Sequence, residues 1–158
     1  MPAGLAEVPR DVGIGIRPAL IQDLPRIMEI ERLAFGGQWD YYQFLASLED
    51  VFLLAVDAAT SEIVGFLVAC CCELARRGII LRLAVDPDFQ GRGIATQLIQ
   101  RSFGELQKKD LDDVDLDVDV LKRGAMHLYE NVGFKVVEII SSSEEDDETF
   151  CIMRKKFD

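Results

Sequence analysis

Between residues 79 and 106 the chain changes its apolar rhythm within a few positions, and few folds accommodate that change. Ile79 to Val85 is a β-rich apolar run that stops at Asp86-Pro87. Beyond Gln90-Gly91-Arg92-Gly93, the apolar positions Ile94, Leu98, Ile99, Phe103 and Leu106 recur at helical spacing. A strand, a glycine turn and a long helix therefore stand in that order. Two glycines at a helix start leave main-chain N–H groups unpaired and admit a ligand that would otherwise meet a Cβ, while the helix dipole adds partial positive charge. The turn suits an anion. GRGIAT lacks the lysine and spacing of a Walker loop, and no third glycine completes a dinucleotide fingerprint. A pyrophosphate held mainly by main-chain amides fits, with Arg92 adding to the local field; the alternative is an ordinary tight strand-to-helix turn.

The rest of the chain interleaves period-2 and helical spacing without an internal repeat, which predicts an α/β layout. Ile14 and Ile16 open a first strand. Asp23 caps a helix with Pro25 in its first turn and Leu24, Ile27, Met28 and Ile30 along its apolar stripe, until Phe35-Gly36-Gly37 breaks it. Tyr41 to Leu48 reads as a second helix and Val51 to Val56 as a strand, and a turn from Ala58 to Glu62 leads into Ile63 to Cys72. The polar stretch Glu73 to Gly78 joins that run to Ile79 to Val85 as a hairpin. Val114, Leu116, Val118 and Val120 alternate with Asp115, Asp117 and Asp119, giving a strand with one buried and one polar face. A short helix through Ala125 to Tyr129 ends at Gly133. Phe134 to Ile140 and Thr149 to Phe157 are strands flanking an acidic turn, Glu144 to Glu148.

Composition bounds the function. The 158 residues, 49% apolar and 28% charged, match one core, with residues 1–12 as a loose lead and 13–158 as the domain. A net charge of −11 argues against nucleic acid as a partner. The longest apolar run, Ile63 to Cys72, is too short to span a bilayer, so no membrane partner is expected, and the opening residues do not read as a secretory signal, which points to the cytoplasm. Cys70, Cys71 and Cys72 are adjacent and Cys151 stands alone, a pattern for small buried hydrophobes and not for disulfides or zinc. His127 is the single histidine and reads as a polar helix residue; no metal is expected.

Val85-Asp86-Pro87-Asp88-Phe89-Gln90-Gly91-Arg92-Gly93-Ile94-Ala95 resembles the acetyl-CoA signature Gln/Arg-x-x-Gly-x-Gly/Ala of the GCN5-related N-acetyltransferases. Ala125-Met126-His127-Leu128-Tyr129-Glu130-Asn131-Val132-Gly133-Phe134 is similar to that family's later Ala-x-x-Leu-Tyr-x-x-x-Gly-Phe segment, and Ile16-Arg17-Pro18-Ala19 to its opening. The resemblance covers residues 14 to 157. It implies a mixed, mostly antiparallel sheet of about seven strands flanked by about four helices, with central strands splaying to admit pantetheine, and acetyl transfer from acetyl-CoA to a primary amine. It also implies that the main chain of Leu83, Ala84 and Val85 bonds pantetheine, that Gly91, Arg92, Gly93, Ile94, Ala95 and Thr96 surround the pyrophosphate, and that Tyr129 protonates the departing thiolate.

Direct attack on the thioester needs a deprotonated amine, hence a base, and no cysteine nucleophile. Asp115, Asp117 and Asp119 share one strand face, where like-charge repulsion would raise their pKa values. Asp117 is the choice among them, because the branch that acetylates protein N-termini, including ribosomal-protein alanine N-acetyltransferases, carries a glutamate at the matching distance before the tyrosine. A bridging water, Asp115 and Asp119 stay open. Glu31, Ala34, Phe35 and Trp39 match that branch in kind. Gly36-Gly37 is extra, Lys122 replaces an asparagine that contacts CoA there and could reach a phosphate, and the last hairpin has Ser141 to Glu148 in place of paired tyrosines. The expected acceptor is a protein N-terminus, lysine or other basic peptide. The acidic hairpin attracts such cations or is a solvated turn. A small amine such as a polyamine or aminoglycoside is the second reading, and a non-catalytic CoA-binding domain the third. Both monomer and homodimer are open.

Overall fold

The computed structural model describes residues 13–141 and 148–158, so the N-terminal lead and the turn residues Glu144, Glu145, Asp146 and Asp147 lie outside the described residues. Seven strands form one sheet: β1 (Ile14–Pro18), β2 (Val51–Asp57), β3 (Ile63–Cys72), β4 (Arg77–Val85), β5 (Asp113–Asp119), β6 (Lys135–Ser141) and β7 (Thr149–Lys156). Four helices flank it: α1 (Leu24–Phe35), α2 (Tyr41–Ser47), α3 (Ile94–Gln107) and α4 (Arg123–Asn131). The strand order is β1-β2-β3-β4-β5-β7-β6, and every neighbouring pair is antiparallel except β4 and β5.

Strand alternation divides the core between the two faces of the sheet. Val51, Leu53 and Ala55 of β2 turn toward α3, where they join Leu67, Leu98, Ile99, Leu106, Val114, Leu116, Phe134 and Met153. Phe52 and Leu54 turn the other way, onto Leu24, Ile27 and Ile30 of α1 and Phe44 of α2. Phe44 packs its ring edge to face on Phe66, with centroids 5.4 Å apart.

The exceptional pairing positions the site. β4 and β5 run parallel and pair only over Arg77↔Asp113, Gly78↔Val114 and Ile79↔Asp115. Opposite β3, Arg82 faces Val68 and Ile80 faces Ala69, so Leu81 is an extra residue, a bulge that bends and twists the strand. From Ile80 onward, the edge of β4 toward β5 carries no strand partner, and the two strands diverge.

Two local expectations change. The Asp23 carboxylate accepts from Leu20 N–H at 2.8 Å and from both Arg17 terminal nitrogens, at 2.7 and 2.9 Å. It therefore closes the 3-10 turn Ile21–Asp23 and caps no N–H of α1. Cys151 is buried, but Cys70, Cys71 and Cys72 are half-buried, because they lead into the exposed turn at 73–76.

Asp86 ends β4. Burial pushes its carboxyl up, but the Asp88 N–H at 2.9 Å and the Arg26 guanidinium at 2.6 Å outweigh this and hold it below its ordinary 3.8. A depressed value gives stability that is present above the unfolded pKa and lost as pH falls through the folded one. Asp86→Asn should lower stability near neutral pH by about 1–2 kcal/mol, read as a drop of about 2–8 °C in Tm. That gap should narrow as the pH is taken from 4 toward 2, in paired thermal melts.

Candidate active site

The divergence of β4 and β5 opens a cavity of about 560 Å³. Ile80, Leu81, Arg82 and Leu83 of β4 line one side, with Phe35 and Gln38 at the α1–α2 junction. Leu116, Asp117, Val118 and Asp119 of β5 line the other, with Lys122, Ala125, Tyr129, Glu148, Thr149 and Phe150. Of the expected site residues, Leu83, Asp117, Lys122 and Tyr129 thus line one cavity.

The remaining expected residues follow from that wall. Ala84 and Val85 are buried and continue β4, so only their main chain is available. Gly91 and Gly93 have φ of +79° and +77°, the left-handed region that costs a side chain about 1–2 kcal/mol. Space is open at both positions, with nothing within 4 Å of an added Cβ, so conformation and not crowding requires glycine here. Gly93 is the N-cap of α3 and supplies no side-chain bond to the helix's first amides. Those of Ile94, Ala95 and Thr96 are left for a ligand. The Ile94 side chain is buried, and Arg92 lies over the Phe89 ring, 4.9 Å from its centroid.

The four aspartates of β5 have different company. Arg154 of β7 donates Nε and Nη2 to Asp115 at 2.6 and 2.9 Å, and Arg77 does the same to Asp113 at 2.7 and 3.2 Å. Cross-contacts at 3.6 and 3.9 Å complete an alternating quartet. The expected run of like charges is therefore interleaved with arginines, because β4 and β7 place one opposite each of these carboxylates. Asp119 accepts from Leu121 N–H at 2.9 Å and holds the turn into α4. Asp117 has no hydrogen-bond or ion-pair partner among the described residues and is exposed to the cavity.

Tyr129 packs against the core, its ring 6.0 Å from that of Phe134. Burial, with the Asp117 charge adding, pushes its phenol above the ordinary 10.0, so it keeps its proton at neutral pH. Burial raises the Cys70, Cys71 and Cys151 thiols, which are poor nucleophiles as a result. His127 is exposed on α4.

Sequence reasoning missed Arg82 as a cavity residue. Its Nε and Nη2 donate to Glu31 at 2.8 and 2.7 Å, Nη2 also donates to Gln38 Oε1 at 3.1 Å, and its Cζ lies 3.9 Å from the Phe35 ring centroid. Glu31, 1% exposed, also accepts from the N–H groups of Gln38 and Trp39 at 3.0 and 3.4 Å. An arginine inside the apolar run Ile79 to Val85 was the available signal, since a charge among buried residues requires a partner.

Residues 48–136 match the family model for the acetyltransferase (GNAT) domain. The chain belongs to the GNAT acetyltransferases. It is an N-acetyltransferase, an acyl-transfer enzyme. It is 26% identical to an N-alpha-acetyltransferase of Saccharolobus solfataricus, over 96% of this chain and 98% of the relative. It is 30% identical to a ribosomal protein bS18-alanine N-acetyltransferase of Haemophilus ducreyi, over 75% of this chain and 80% of that one. A chain of the NatC complex, solved bound to Gag peptide and CoA, has the same GNAT fold with a TM-score of 0.79 at 22% identity, covering 92% of this chain and 99% of its own.

The interleaved aspartates give the GNAT domain a direct test. Asp115→Asn should lower stability by about 1–3 kcal/mol, because it removes the charged partner of Arg154. Asp117→Asn, two residues along the same strand, should leave the thermal midpoint within about 1 °C, having no partner to lose among the described residues.

Proposed function

We propose that this protein transfers the acetyl group of acetyl-CoA to the α-amine of a peptide or protein, with Asp117 as base and Tyr129 as acid, in a domain spanning residues 13–158. The observation that carries the reading is the placement of a carboxylate without a partner among the described residues and a protonated phenol on one cavity, at the gap between two strands, with a free-amide glycine turn following one of them. The relatives named for N-terminal acetylation support the peptide acceptor.

In this reading the open edge of β4 from Leu83 to Val85 offers main-chain bonds to pantetheine. Gly91 to Thr96 cradle the diphosphate, where oriented amides offset the acidity of the whole protein. Lys122 lines the cavity and supplies a point charge to the cofactor. The amine loses its proton to Asp117, directly or through a water, and attacks the thioester carbonyl. The C–N bond forms, the C–S bond breaks, and Tyr129 donates its proton to the sulfur. Asp117, Asp119 and Glu148 make the acceptor side acidic, which favours a cationic incoming amine.

Tyr129→Phe should reduce kcat about 10²–10⁴-fold while leaving acetyl-CoA affinity unchanged. In the unmodified enzyme, activity should rise as the acceptor amine deprotonates and fall only above about pH 10, where the raised Tyr129 ionises. The variant should lose that alkaline limb. CoA release over a pH series reads both effects, and equal rates for the two proteins would refute the role. Gly93→Ala should weaken acetyl-CoA binding in calorimetry by about tenfold, the cost of the strained turn.

A further inference from the structure

We infer that Arg82 is an acceptor-specificity residue that donates to a carbonyl oxygen lying close to the amine being acetylated, and so selects peptides over polyamines. The inference deepens the proposed function and rests on it.

Arg82 has five N–H donors, and its protein partners occupy one edge of the guanidinium. Nε and Nη2 are spent on Glu31 and Gln38, whereas Nη1 has no hydrogen bond among the described residues. Among those residues, no buried side-chain nitrogen or oxygen lacks a partner, so Nη1 must reach open space. Arg82 is otherwise well covered, at 14% side-chain exposure, and the space it borders is the cavity shared with Asp117 and Tyr129.

Its orientation is fixed. The Glu31 carboxylate takes the guanidinium as a two-point fork, and the Phe35 ring lies under its Cζ at 3.9 Å. The same carboxylate holds the Gln38 and Trp39 amides, so the fork is tied to the α1–α2 junction that walls the cavity. Glu31 balances the arginine charge, and what remains toward the cavity is a rigid pair of donors without an acceptor. A polyamine offers that group only more donors and more positive charge. A peptide offers a carbonyl oxygen three bonds from its α-amine nitrogen, and a site built to donate discriminates against molecules that cannot accept.

The test compares steady-state kinetics of the full chain and its Arg82→Lys variant with an alanine-leading peptide and with spermidine. Lysine keeps a cation for buried Glu31 but removes the fork and the two donors of Nη1. The expected result is a rise of about ten- to a hundredfold in the peptide KM, with acetyl-CoA KM, kcat and the spermidine kinetics within twofold. The double variant Glu31→Gln with Arg82→Met, which leaves no buried ion and keeps a side-chain oxygen for the Gln38 and Trp39 amides, should give the same rise if the lysine variant does not fold. A peptide KM unchanged in both variants, an equal rise for both acceptors, or a wild-type preference for spermidine would overturn the inference. Failure of the wild-type chain to take up acetyl-CoA in calorimetry would instead overturn the acetyl-transfer reading beneath it.

Discussion

Three rungs of parallel pairing between β4 and β5 govern the molecule. At those rungs, Arg77 and Arg154 alternate with Asp113 and Asp115 and hold three strands, β4, β5 and β7, at one end. Past them, the Leu81 bulge turns β4 aside and the strands part. The opening is therefore not a missing piece of sheet but the result of a strong clasp beside a local bend. Each feature of the site depends on the angle so produced: the unpartnered edge of β4, the exposure of Asp117 and the reach of Tyr129 from α4.

The same geometry answers how an acidic protein can hold an acidic cofactor. Asp113 and Asp115 at the vertex are spent on arginines, and the helix start after Gly93 presents amide dipoles with no side-chain cap. Net charge describes the surface as a whole, whereas affinity for a diphosphate is decided by the few oriented groups within one Debye length of it.

The element order was legible because the apolar rhythm of each segment agrees with its final environment. Ile94, Leu98, Ile99 and Leu106 are all buried on one side of α3, and Val114, Leu116 and Val118 all point inward from β5. The glycine turn was legible from two residues whose positive φ only glycine adopts readily. What stayed hidden needed three-dimensional partners. Nothing local distinguishes Asp115 from Asp117, since the distinction lies in Arg154, 39 residues later. Glu31 matched by type, but its bond to Arg82 spans 51 positions and depends on a bulge that no periodicity announces. Asp23 misled because its nearest satisfied donor lay upstream of the helix and not within it.

The sheet is in effect two wings, four strands and three, joined by three rungs and by the common core under α3 and α4. A molecule lying in the gap would span both wings and act as a brace. The folded state then gains free energy in proportion to the logarithm of cofactor concentration. Supply of the activated thioester and stability of the fold would then become coupled quantities.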